Sequence, residues 1–169
     1  MPDEEMIEAA QALLELCARK KLMLGLAESC TGGLLAATLT AIPGSSKVLD
    51  RGFVTYSNES KQQIGVAAAT IERYGAVSRE TAEAMAKGVL ANAPVTLSAS
   101  ITGIAGPDGG TPDKPIGLVH FAVAASRSGK LIHHEHRYGD IGRAQVRRAS
   151  VLRGLAMLRD LADGEDFTN

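Results

Sequence analysis

The chain lacks much of what several classes of protein need. It has no tryptophan, three phenylalanines and three tyrosines in 169 residues, too few aromatics for the stacking platforms that hold single-stranded nucleic acid. Its formal charge is −1 at pH 7, so no excess of cations argues for a nucleic-acid or membrane-surface partner. The two cysteines, Cys17 and Cys30, cannot build a disulfide framework, and a reducing compartment, the cytoplasm, is expected. Met1-Pro2-Asp3-Glu4-Glu5 has neither the basic start nor the apolar stretch of a signal peptide, which makes the chain read as complete. Its apolar run Leu22–Ala27 is too short to span a membrane. Repeats, linkers and low-complexity stretches are missing too, so residues 1–169 are expected to form one domain.

What is present has the rhythm of an α/β protein. Met6, Ile7, Ala10, Leu13, Leu14 and Cys17 fall at helical spacing, ending near the cations Arg19-Lys20-Lys21. A first strand is expected over Leu22–Ala27, a helix over Gly33–Thr40, and a second strand over Gly52–Ser57. Helical stretches follow from Asn58, from Ala68 to Tyr74 and after Ser78, until Pro94 intervenes. Strands are expected over Val95–Ile101, Gly117–Ala125 and Leu131–His136, the last two forming a hairpin, before a helix from about Arg143 to Leu161. The expected fold is a three-layer α/β/α sandwich with a mixed, mostly parallel five-stranded sheet.

Three segments carry chemistry, each at the end of an expected strand. Ala27-Glu28-Ser29-Cys30-Thr31-Gly32-Gly33 puts a hydroxyl and a thiol where a strand gives way to a helix, a junction that suits a nucleophile beside free helix N–H groups. The bland alternative is that Ser29 or Thr31 only caps the helix. Tyr56-Ser57-Asn58-Glu59-Ser60-Lys61 offers a general base, if a dry pocket lowers the lysine pKa; a solvated lysine is the alternative. The glycine-rich loop Thr102–Pro115, with Gly103, Gly106, Gly109 and Gly110, lets main-chain N–H groups approach an anion closely. If the strands run parallel, Ser29, Tyr56 and Thr102 converge on one rim.

Spacing excludes some familiar readings. The gap from Tyr56 to Lys61 is one residue too long for Tyr-x-x-x-Lys, no Gly-x-Gly-x-x-Gly follows a strand, and the residue three after Ser29 is Gly32 rather than lysine. No Gly-Lys-Ser/Thr closes the glycine loop as a P-loop would. His133, His134, Glu135 and His136 split between the faces of a strand, two to each, too few for a metal centre, and no metal or cofactor is expected.

Glu28-Ser29-Cys30-Thr31-Gly32-Gly33, Pro43-Gly44-Ser45-Ser46, Tyr56-Ser57-Asn58 with Lys61, Gly75-Ala76-Val77-Ser78, and Thr102-Gly103-Ile104-Ala105-Gly106-Pro107 with Gly109-Gly110 together resemble the CinA C-terminal-domain family. The resemblance runs in order along nearly the whole chain and implies a nicotinamide-nucleotide amidase in its stand-alone form. That family deamidates nicotinamide mononucleotide to nicotinate mononucleotide and ammonia, a step of pyridine nucleotide salvage. It also implies Ser29 as nucleophile, Lys61 as general base and Tyr56 as a supporting neighbour. The N–H groups near Cys30, Thr31, Gly32 and Gly33 would hold the oxyanion. Asn58, Thr102, Gly103, Gly106, Gly109 and Gly110 would hold the substrate, and Arg143 or Arg147, with Arg148 competing, its phosphate. The family usually carries Gly-Asp-Arg after the last strand, whereas here Ile141-Gly142 separates Gly139-Asp140 from Arg143.

Cys30 is the stronger nucleophile in principle, but no histidine stands in its motif to activate it. A nucleotide-binding regulatory module without turnover, linked to competence or DNA damage, is the alternative function; a DNA adaptor lacks the basic, aromatic surface it needs. Alanine-rich helix faces are compatible with a homo-oligomer.

Overall fold

A computed structural model of the chain describes residues 1–165. Six α-helices, α1 (Glu4–Lys20), α2 (Leu34–Thr40), α3 (Asn58–Gln63), α4 (Ala68–Tyr74), α5 (Arg79–Asn92) and α6 (Arg143–Asp163), alternate with five strands, β1 (Leu24–Glu28), β2 (Leu49–Val54), β3 (Leu97–Gly103), β4 (Leu118–Ala125) and β5 (Leu131–Arg137). The sheet order is β2-β1-β3-β4-β5. β1 pairs parallel with both β2 and β3, whereas β4 is antiparallel to β3 and β5 to β4, so four of the five strands point the same way. This is the expected mixed, mostly parallel α/β sheet.

Side-chain alternation along the central strands divides the layers. On β1, Leu24 and Leu26 join the core packed by α1, α2 and α6, while Ala27 belongs to the cluster under α5 with Val89 and Met85. On β3, Leu97, Ala99 and Ile101 face the α6 layer, and the buried hydroxyls of Ser98 and Ser100 donate to the Ala86 and Ala82 carbonyls of α5. Ala82, Ala86, Ala122 and Ala124 pack together, small side chains that bring α5 close to the sheet. The chain leaves β1 for β2 on one side, then crosses back to β3 on the other. The carboxyl end of β1 is therefore the switch point where open sheets form their crevice.

The second strand begins earlier than its sequence suggests, at Leu49, and Ser57 is not part of it. β2 is an edge strand with exposed Asp50, Arg51, Gly52 and Val54, so it shows no alternation to read. Ser57 instead caps α3 in a reciprocal box with Ser60. The third strand extends to Gly103, which puts Thr102 inside the ladder opposite His120. On the edge strand β5, His133 reaches across to the buried His120, Nε2 to Nδ1 2.9 Å, and His134 lies against Arg153 of α6, so the expected split between faces is what the strand shows.

Gly88 sets how closely α5 approaches the end of α3. A Cβ built there would stand 2.2 Å from the Ile64 carbonyl oxygen, which also accepts from Asn92 Nδ2. Gly88→Ala, a change that ordinarily stabilises a helix by up to about 1 kcal/mol, is expected here to destabilise the protein by about 1–3 kcal/mol through overpacking. Urea unfolding of the two proteins, with m unchanged, measures the difference.

Candidate active site

Three strand ends and the segments that follow them build one cleft at the carboxyl edge of the sheet. Its lining includes Ser29, Cys30, Tyr56, Asn58, Lys61 and Thr102, with the loop residues Gly103, Gly106 and Gly109, and Arg143 from α6. The cleft holds about 280 Å³, near the lower bound of about 300 Å³ for small-molecule sites.

Ser29 follows β1, and its amide continues the ladder by donating to Ile101 O. The alternation that sends Glu28 towards α2 sends Ser29 to the opposite face, under α3. There Lys61 Nζ stands 3.1 Å from Ser29 Oγ and donates to the Thr55 carbonyl oxygen at 2.7 Å. Lys61 is 2% exposed, among the most deeply buried large side chains of the protein. Burial lowers its pKa below the ordinary lysine value, since the charged form loses its hydration. The one charge opposing that shift is a Cys30 thiolate. Burial pushes the Cys30 thiol up to about 12, so no thiolate is present where a depressed lysine titrates. The same shift makes Cys30 a poor nucleophile at neutral pH.

The turn after Ser29 is tightly tied. Gly32 and Gly33 adopt φ of +57° and +92°, and Gly32 N donates to Ser29 O. The Glu28 carboxylate, on a residue 1% exposed, accepts from Gly33, Leu35 and Ala36 N. The Gly32 and Gly33 amides are thus already engaged. Among the described residues, no other residue takes the Cys30 or Thr31 amide. Glu28 had been assigned no role from sequence. A carboxylate closing an apolar strand just before a helix start was the signal.

The remaining expected site residues fall on or near the rim. Tyr56 Oη meets Arg143 at 2.7 Å rather than the Ser29–Lys61 pair, and Arg143 also donates to Gly106 O at 3.0 Å, so the guanidinium spans the mouth of the cleft. Arg147, one turn on, does not line the cleft and donates to Thr31 O at 2.9 Å. Arg148 points elsewhere, pairing with Asp3 and Glu5 of the N-terminal segment. Thr102 donates its hydroxyl proton to Ala76 O, fixing the Gly75–Ser78 turn. Gly110 packs against Ile116 rather than facing the cleft. Asp108, Ala76 and Val77 also line it, and no sequence pattern had marked them as such.

The sheet order and the buried Ser29–Lys61 approach at its carboxyl edge define an α/β protein with a cleft at the switch point of its sheet. The CinA C-terminal domain matches residues 6–162, and the chain belongs to that family. A competence/damage inducible protein from Agrobacterium tumefaciens has a crystal structure with 48% identity, a TM-score of 0.93, and coverage of 95% of this chain and 98% of its own. A CinA-superfamily protein from Klebsiella pneumoniae superposes with a TM-score of 0.88 at 30% identity, covering 95% and 99% of the two chains. A CinA-like protein of Leptospira borgpetersenii is 46% identical over 154 residues, 90% of this chain and 35% of its own length. The chain spans just over a third of the curated relatives it matches, including 37% of a competence-damage inducible protein of Acetivibrio thermocellus that is 45% identical. No helix among the described residues is long and apolar enough to cross a membrane.

Burying the Lys61 amine has a cost that can be read out. Because Lys61 titrates lower in the folded chain than in the unfolded one, the unfolded state binds more protons between the two pKa values, and stability rises with pH across that window. Lys61→Met removes that burden: its Tm is expected to exceed the parent's at pH 7, by about 2–4 °C per kcal/mol gained, with the gap narrowing as pH rises towards the ordinary lysine pKa of 10.5. Calorimetric scans at several pH values check the sign.

Proposed function

We propose that the protein is an amidase that hydrolyses nicotinamide mononucleotide to nicotinate mononucleotide and ammonia through a Ser29 acyl-enzyme. The observation that carries this reading is the Lys61 Nζ–Ser29 Oγ approach of 3.1 Å inside a buried, open-mouthed cleft. Family membership supports it.

In this mechanism the neutral Lys61 amine donates to the Thr55 carbonyl and turns its lone pair to the Ser29 hydroxyl. It takes that proton as Oγ attacks the carboxamide carbon. The resulting oxyanion is met by the amide of Cys30, the residue of the turn after Ser29 that lines the cleft. Lys61 then returns its proton to the departing nitrogen, ammonia leaves, and nicotinyl-Ser29 remains. Water attacks the ester while Lys61 accepts its proton, and collapse of the second tetrahedral species restores the Ser29 hydroxyl and releases the acid.

Arg143, at the mouth of the cleft, suits a phosphate: its guanidinium offers a fork of donors now held by Tyr56 Oη and Gly106 O. Gly106 and Gly109, at φ of +80° and +92°, line the same cleft beside Arg143, as do Asn58 and Thr102.

Ammonia release from nicotinamide mononucleotide tests the reading. Ser29→Ala and Lys61→Ala are expected to reduce turnover by about 10³-fold or more while product binding persists. Arg143→Gln is expected to raise KM about 10- to 100-fold with a smaller change in kcat. Binding without turnover by the unaltered protein would point instead to a non-catalytic nucleotide-binding module.

A further inference from the structure

We propose that Glu28 is a positioning residue that decides which main-chain amides are left to bind the oxyanion. The proposal rests on Ser29 acting as an acyl-transfer nucleophile, but not on which amide it attacks.

Glu28 is the last residue of β1 and directly precedes Ser29. Strand alternation turns the two side chains to opposite faces, the hydroxyl to Lys61 and the carboxylate to the start of α2. A helix start leaves several N–H groups free. Here Glu28 Oε2 takes those of Gly33 at 3.1 Å and Leu35 at 3.0 Å, and Oε1 takes that of Ala36 at 2.8 Å. Leu34 N goes to Thr31 O, and Gly32 N to Ser29 O. Every amide from Gly32 to Ala36 is therefore engaged; Cys30 and Thr31 are left without a partner residue, and of the two Cys30 lines the cleft while Thr31 is fully buried.

The carboxylate also fixes the turn's shape. A span of nine residues, Glu28 to Ala36, is closed by that one side chain, and Arg147 holds the far side through the Thr31 carbonyl. A carboxylate one residue from the nucleophile would repel an oxyanion if its charge were free. Three N–H bonds and the helix N-terminus compensate it.

Glutamine at this position has the same shape but one acceptor oxygen. Its NH2 group would face an amide donor, so at least one of the three bonds is lost. The turn then has a donor to redirect and loses the alignment of the Cys30 amide, whereas the outer cleft, Arg143 and the glycine loop are untouched. Stabilisation of a tetrahedral oxyanion should fall while binding of a planar ligand does not.

Pyridine-3-boronic acid and nicotinate mononucleotide separate the two. The boronic acid reports the tetrahedral state: Ser29 Oγ forms a bond to boron, Lys61 takes the hydroxyl proton, and boron becomes a tetrahedral anion bearing oxygens beside the turn. Nicotinate mononucleotide reports the planar state without reacting. Glu28→Gln is expected to weaken the boronic acid about tenfold or more and to leave nicotinate mononucleotide within about twofold, both read by calorimetric titration. Equal weakening of both ligands, or of neither, overturns the proposal, as does failure of the unaltered protein to form the boron adduct on Ser29. Should Glu28→Gln not fold, Arg147→Gln removes the other tether and must show the same selective loss. An unaltered protein that binds the boronic acid but releases no ammonia from nicotinamide mononucleotide contradicts the amidase reading and leaves the Glu28 comparison intact.

Discussion

The site depends on a lysine that is almost wholly buried against the hydroxyl it faces. Lys61 is held within hydrogen-bonding distance of Ser29 and donates to the Thr55 carbonyl, with no carboxylate paired to it among the described residues. An amine so placed favours its neutral form, because neither solvent nor a counter-ion stabilises the charge. A lysine in water would be protonated at neutral pH and unable to accept a proton. The surrounding structure is arranged to keep this one dry: α3 carries it, the Ile64–Gly88 approach seats α3 against α5, and Cys30 closes the pocket with an uncharged thiol.

The second constraint is the two-residue period of β1. It places Glu28 and Ser29 on opposite faces of the sheet, which lets one strand end both secure a helix start and present a nucleophile. The parallel run of β2, β1 and β3 then brings Thr55, Ser29 and Thr102 to one edge. Three segments far apart in sequence become one cleft for that reason, and α6 returns across the molecule to place Arg143 over its mouth.

Much of this was legible in the amino-acid sequence. Helical spacing located α1 and α6, and the bounds of α4, Ala68 to Tyr74, came directly from its pattern. Ser29, Tyr56, Lys61 and Thr102 stood out because they sit where apolar strands stop. What escaped had a weak local signal or none. β2 was misplaced because an exposed edge strand lacks alternation. Arg147 and Arg148 were indistinguishable from Arg143 as partners for an anion, since only the packing of α6 against the Ser29 turn and against α1 gives each a different neighbour. Glu28 looked like an ordinary charged residue until its three amide partners, five to eight positions along the chain, were brought to it by the turn.

The ionisation of Lys61 is the quantity on which the whole account turns. Carbon-13 NMR of the protein labelled at the lysine Cε positions, assigned by comparison with a Lys61→Met variant and titrated through alkaline pH, measures it directly. The account predicts one Cε resonance, that of Lys61, titrating below the ordinary lysine value of 10.5 while the solvent-facing lysines titrate near it. A Lys61 that titrates at or above 10.5 would be a cation beside Ser29, and it could not serve as the base.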